Sequence, residues 1–295
     1  MADGYRLPYW RWLPPGAPRY VVVALHGFND YRNAFAGPAA GLAARGVAVY
    51  AFDQRGFGET EHRGLWPGTD RLVSDAGAFL QLVRQRHPER PLALLGMSMG
   101  AAVAVLVQAG IEPAPADALV LVAPAAWGRR TMNPLMRTAL WLLVHLAPGS
   151  RWTGENLDIR PTDNLELLRA MSRDPLVIKE TRADAIWGLT GLMDRALDAA
   201  HRVPGPLLVL HGGEDQVVPR SSVCRLIRRL QARGEAPRVR FYPDGHHMLM
   251  RDLAGDRVVA DIAAWLEGAS PGPTGPPPGC EERPPSTTSA GPQGG

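Results

Sequence analysis

Cysteine, lysine, aromatic residues and long apolar runs are all scarce in this chain of 295 residues. Two cysteines, Cys224 and Cys280, build neither a disulfide framework nor a metal quartet, so no metal site or cofactor is expected and a reducing compartment fits. Lys179 is the only lysine, so the formal charge of +3 rests on arginine and reflects a compositional bias rather than a nucleic-acid footprint. No zinc-finger spacing or aromatic RNA-binding signature accompanies it, which excludes nucleic-acid modules. The most apolar stretch, Leu135 to Leu146, is too short to cross a bilayer. At the N-terminus, Met1-Ala2-Asp3-Gly4-Tyr5-Arg6 lacks the charged segment and apolar core of a secretory signal. The cytoplasm is therefore the expected location, with peripheral membrane contact as a further option.

What is present is apolar sequence in strand-length pieces. Hydrophobic residues make up 45% of the chain, enough for the core of one large α/β domain carrying an insertion. An edge strand over Tyr5 to Trp12 precedes buried strands at Arg19 to Leu25, Val47 to Phe52, Pro91 to Leu95, Ala118 to Ala123, Pro206 to His211 and Arg238 to Tyr242. Helices are expected between them: Ala34 to Arg45, Asp70 or Ser74 to about His87, Ala101 to Ala109, Pro219 to about Arg233, and Leu253 to Leu266. This alternation predicts a mostly parallel sheet with helices on both faces. It divides the chain into a first core segment over 1–123, a helical insertion over 124–204, a second core segment over 205–268 and a disordered Pro/Gly-rich tail over 269–295. In the insertion, Leu135 to Leu146 is expected to pack on a core, with lipid or membrane contact the alternative. Arg225, Arg228, Arg229 and Arg233 fall on one helix and read as a solvated face rather than a phosphate or anionic-lipid site.

One stretch carries chemistry. Pro91-Leu92-Ala93-Leu94-Leu95-Gly96-Met97-Ser98-Met99-Gly100 reads as strand, sharp turn, helix, with Ser98 alone at the tip. Backbones that nearly touch around such a turn require glycine at Gly96 and Gly100. A Gly-x-Ser-x-Gly match arises by chance in so glycine-rich a chain with odds of roughly one in ten, so its placement and its partners carry the argument. A serine hydroxyl needs a base to take its proton and a third group to orient that base. In an open parallel sheet reactive groups gather beyond the carboxyl ends of the strands, where this chain offers Asp215 and, after the last strand, His246-His247. Met248 to Asp252 reads as the start of the closing helix, which favours His247, with His246 the alternative; Glu214 is the fallback for Asp215. Asp53 also ends a strand, but it precedes the elbow and suits a structural ion pair or turn. The oxyanion needs two N–H donors. Met99, at the helix start, and Phe28, in the loop after His26-Gly27, are the candidates.

Five segments together resemble the monoacylglycerol lipase and lysophospholipase branch of the α/β-hydrolases. They are His-Gly-Phe-Asn-Asp at 26–30, Phe-Asp-Gln-Arg-Gly-Phe-Gly at 52–58, Gly-Met-Ser-Met-Gly at 96–100, His-Gly-Gly-Glu-Asp-Gln-Val-Val-Pro at 211–219 and Tyr-Pro-Asp-Gly-His-His at 242–247. The resemblance covers about residues 4–267. It implies the α/β-hydrolase fold, a triad of Ser98, Asp215 and His247, oxyanion donors at Phe28 and Met99, and a small-molecule acyl-ester substrate admitted beneath a mobile helical cap, for which transient membrane-surface contact is a further option. His246 and the Pro/Gly tail depart from the family pattern. The same fold also hosts thioester and peptide cleavage, perhydrolysis and ligand sensing without catalysis. Epoxide hydrolysis and dehalogenation are disfavoured, because they need a carboxylate where this chain has Ser98.

Overall fold

The structure is a computed structural model and describes residues 1, 3–110, 115–154, 158–231, 236–269 and 280. The strands are β1 (Tyr9–Trp12), β2 (Tyr20–Leu25), β3 (Val47–Phe52), β4 (Leu92–Met97), β5 (Ala118–Val122), β6 (Arg151–Thr153), β7 (Glu180–Arg182), β8 (Leu207–Gly212) and β9 (Arg238–Tyr242), of which β2, β3, β4, β5 and β8 are apolar runs buried throughout or nearly so. Seven of them make one sheet in the order β1-β3-β2-β4-β5-β8-β9. Only β1 runs antiparallel within it, and β6 and β7 form a separate antiparallel ribbon.

The helices are α1 (Ala36–Ala43), α2 (Thr69–Arg86), α3 (Met99–Gly110), α4 (Pro134–Leu146), α5 (Leu165–Arg173), α6 (Ala183–Ala199), α7 (Arg220–Gln231) and α8 (Gly255–Leu266). Side chains alternate across the strands, so β2 sends Val21, Val23 and Leu25 into one apolar cluster and Val22 and Ala24 into the other. The first cluster packs against α2, α3, α6 and α7, the second against α1 and α8. Each such valine or leucine contributes roughly 1.5–3 kcal/mol by leaving water.

The architecture is the mostly parallel, helix-covered sheet expected from the alternation, with three local differences. First, neither Asp70 nor Ser74 caps α2. The helix starts at Thr69 behind Gly68, whose φ is +92°, and Asp70 lies in its first turn, paired with Arg195 at 2.6 Å. Second, the inserted stretch contains the short β6–β7 ribbon as well as helices.

The third difference concerns the most apolar part of the insertion. The expectation that Leu135 to Leu146 packs on a core is overturned: no residue of α4 is buried, and Leu135 and Leu146 are 78% and 81% exposed. Packing is supplied instead by α6, which lies against α3 and places Leu192, Ala196 and Leu197 in the first cluster. Among the described residues no helix is long and apolar enough to cross a membrane.

The expected disordered tail over 269–295 lies outside the described residues, apart from Ala269 and Cys280. Cys280 corrects the reading that the cysteines build no disulfide. It is bonded to Cys224 on the buried face of α7, with a Cα–Cα separation of 5.1 Å. A residue in a Pro/Gly-rich segment gives the sequence no means of locating its partner. On the same helix Arg225, Arg228 and Arg229 are exposed, as a solvated face requires, while Arg233 lies outside the described residues.

The bond closes a separation of 56 residues that spans β9 and α8, which in the chain-entropy picture stabilises by about 4 kcal/mol at most. Cys280→Ser is therefore expected to lower the thermal midpoint by several degrees. A thiol titration of denatured, unreduced protein should find no free thiol in the wild type and one in the variant.

Candidate active site

The elbow depends on two missing side chains. A Cβ on Gly96 would stand 2.4 Å from the carbonyl oxygen of Gly100, and one on Gly100 would stand 2.1 Å from that of Leu25. With those approaches open, β4 passes into α3 through Ser98, held at φ +52°, a region that non-glycine residues rarely occupy. The Ser98 carbonyl accepts from Ala101 at 3.0 Å and starts the helix, and its N–H donates to Val122 of β5 at 3.0 Å. The side chain is left at the tip, 9% exposed.

His247, in the loop after β9, brings Nε2 to 2.9 Å from Ser98 Oγ and Nδ1 to 2.9 Å from Asp215 Oδ2. Asp215 follows β8. Its other oxygen accepts from the N–H groups of Val217 and Val218, both at 2.9 Å. Burial pushes this carboxyl up, but the hydrogen bonds from His247 and the Val218 N–H outweigh burial and hold it below the usual carboxylate range. An ionised Asp215 only accepts, so Nδ1 of His247 carries the proton and the Nε2 lone pair faces the serine hydroxyl. The arrangement can take a proton from Ser98 and stabilise the imidazolium that results.

The alternatives drawn from sequence lie elsewhere. The Glu214 side chain is exposed. His246 turns toward Asp252, with Nδ1 3.7 Å from Oδ2. Asp163, His246 and Asp252 lie close enough to share a cation, but their carboxylates already hold other groups. Asp252 accepts from Thr162 Oγ1 and the His246 N–H, both at 2.7 Å, and Asp163 accepts from the Leu253 N–H at 2.8 Å. Asp53 is structural, ion-paired with the buried Arg32 and accepting from the N–H groups of Arg32 and Glu59.

Phe28 lies beside the elbow, because a Cβ on the preceding Gly27 would be 3.4 Å from Ser98 Cβ. That loop is held by His26, whose buried imidazole is kept neutral chiefly by desolvation. Its Nδ1 donates to the Gly27 carbonyl at 2.8 Å and its Nε2 accepts from the Gln54 N–H at 2.9 Å. Met99 is the first residue of α3, so its N–H has no acceptor within the helix.

The inserted residues reach both sides of this centre. Met248 N–H donates to Pro161 at 2.8 Å and Arg160 N–H to Gln216 at 2.8 Å, on the side of the base. Opposite, Ile178 N–H donates to the Asn29 carbonyl at 3.0 Å, and nearby Lys179 donates to the carbonyl of Asp174 at 2.5 Å. Neither set has a signal in the sequence, since each joins segments with no shared motif.

Residues 16–254 match the family model described as serine aminopeptidase, S33. The chain belongs to this α/β-hydrolase family. Within it, the chain is 28% identical to a monoacylglycerol lipase of Mycolicibacterium smegmatis over 275 residues, covering 89% of this chain and 93% of the relative. It is 27% identical to the monoglyceride lipase of Homo sapiens over 282 residues, 90% and 88% of the two chains. In fold it is similar to a crystal structure of Paleococcus ferrophilus monoacylglycerol lipase, with TM-score 0.74 and 21% identity over 89% of this chain and 99% of that one. A soluble variant of the Saccharomyces cerevisiae monoglyceride lipase, crystallised with a substrate analogue, gives TM-score 0.77 at 20% identity, over 90% and 92% of the chains. The resemblance read from the sequence motifs is thus borne out.

A second buried imidazole stands behind the acid. His211 Nδ1 is 3.8 Å from Asp215 Oδ2 and lacks a hydrogen-bond partner among the described residues. Desolvation, only partly opposed by Asp215, pulls its pKa from 6.5 down to about 4. Between those values the unfolded chain binds a proton that the folded protein refuses. This contribution to stability is therefore complete above about pH 6.5 and falls by roughly 3 kcal/mol as the pH drops to about 4. Urea midpoints of wild type and His211→Asn at pH 7 and pH 4.5 should show a smaller acid loss in the variant.

Proposed function

We propose that the protein is a serine hydrolase that cleaves carboxylic esters of lipid-like substrates, of monoacylglycerol or lysophospholipid type, through an acyl-enzyme on Ser98. The single observation that carries this is the continuous hydrogen-bonded line from Asp215 through His247 to Ser98 at a strained elbow. His247 takes the Ser98 proton as Oγ attacks the ester carbonyl, and the oxyanion is received by the N–H groups of Phe28 and Met99. The tetrahedral intermediate collapses as His247 protonates the leaving alcohol. A water deprotonated by His247 then releases the fatty acid. The lipase names of the relatives support the acyl-ester class, and residues 124–204 serve as the cap over the site.

A fluorophosphonate probe should label the wild type and not Ser98→Ala. The same variant should lose at least about a thousandfold in hydrolysis of monoacylglycerols across a chain-length series. Faster turnover of aminoacyl anilides or acyl-CoA than of any ester would overturn the substrate class, and equal labelling of Ser98→Ala would overturn the mechanism.

The cap also offers a surface for the aggregated substrate. Leu135, Leu142 and Leu146 share one exposed face of α4, and Met136, Arg137 and Trp141 are exposed around the rest of it, apolar surface with a cation as an interfacial helix has. Co-sedimentation with vesicles containing an anionic phospholipid should fall severalfold in the double variant Leu135→Ser, Leu142→Ser, with hydrolysis of a short soluble ester unchanged.

A further inference from the structure

We infer that the hydrogen bond between Asn29 and Thr181 lets the position of the inserted segment set the position of the Phe28 N–H, making Thr181 a positioning residue for oxyanion stabilisation. The inference rests on the serine-hydrolase reading above and adds a link between cap and chemistry.

Asn29 follows the proposed donor and sits at φ +62°, a conformation that persists only where surrounding contacts hold it. The direct hydrogen bonds to Asn29 come from the insertion. Asn29 Nδ2 donates to Thr181 Oγ1 at 2.6 Å, and the Ile178 N–H donates to the Asn29 carbonyl at 3.0 Å. Two residues on, Tyr31 donates its hydroxyl proton to Asp174 at 2.6 Å. Residues 174, 178 and 181 all precede α6, and Thr181 lies on the β6–β7 ribbon opposite the exposed Trp152.

The other side of Phe28 is held differently. Gly27 is fixed by His26, and His26 by both the main chain and the side chain of Gln54. The Phe28 ring rests edge-on against Phe57. The donor thus stands between a side anchored wholly in the core and a side where the insertion adds its own contacts to the core pair Arg251–Asp30. A displaced ribbon frees Asn29 and leaves the loop to the turn that the Asp30 N–H closes on the Gly27 carbonyl at 3.4 Å and to the Arg251–Asp30 pair at 2.7 Å, which hold Asp30 but not the Asn29 side chain. A donor misplaced by a fraction of an ångström still binds substrate in the ground state but serves the tetrahedral state poorly.

The test uses the full-length enzyme and a short, soluble p-nitrophenyl ester. Thr181→Val should lower kcat about tenfold with KM changed less than about twofold, and Thr181→Ser should restore kcat. A trifluoromethyl ketone, which forms the oxyanion, should bind Thr181→Val weaker by a factor similar to the kcat loss. Asn29→Gly accepts the positive φ without the amide, and combined with Thr181→Val it should cost no more than either alone. Unchanged kcat in Thr181→Val, a loss confined to KM, or fully additive losses would overturn the inference. If the wild type hydrolyses no ester, or Ser98→Ala hydrolyses it equally well, the serine-hydrolase reading falls and this inference with it. Ser98-dependent hydrolysis with an unaffected Thr181→Val removes the positioning role alone.

Discussion

Two main-chain segments approach at Gly100 more closely than any side chain would permit, and the place of each reacting group follows from that contact. The start of α3 rests on the carbonyl oxygens of Leu25 and His26, which sets the end of β2 beside the elbow and Gly27 against Ser98. A second glycine contact does the same for the acid and base. A Cβ on Gly212 would stand 2.2 Å from the carbonyl oxygen of Gly245, so no side chain fits where the segments leading to Asp215 and His247 cross. Backbone proximity, enforced by absent side chains, therefore precedes the hydrogen bonds that join the three side chains.

Three buried imidazoles around this centre show how environment assigns roles to one residue type. His26 is held neutral by desolvation and uses both nitrogens to brace a loop. His211 has no partner for Nδ1 among the described residues and is kept from protonation by burial. A neutral imidazole packed behind Asp215 leaves that carboxylate directed at His247, where a cation at His211 would compete for it. His247 alone has an acceptor on one nitrogen and a hydroxyl on the other.

The sheet, its alternation with helices and the elbow were legible in the sequence because each rests on local spacing: apolar runs of strand length, glycines flanking Ser98, and Asp215 just past a strand. The choice of His247 over His246 was only half legible, since adjacent residues share a loop and differ in the direction of their side chains. Contacts between distant segments were not legible at all. Cys280 meets Cys224, Thr181 meets Asn29, and Arg32 meets Asp53, and none of these pairs leaves a periodic trace. Leu135 to Leu146 misled in the opposite way: an apolar helix registers affinity for a nonaqueous surface, and the sequence does not say whether protein supplies it.

The lone lysine has a consequence of its own. Lys179 sits between Ile178 and Thr181, with its ammonium turned back onto the carbonyl of Asp174. Apart from the amino terminus, an acylating or alkylating reagent directed at amines has one side chain to find in the entire protein. A reporter attached there sits on the strip of chain that contacts the loop carrying Asn29, so a single chromophore would report on the surroundings of that junction without any engineered residue.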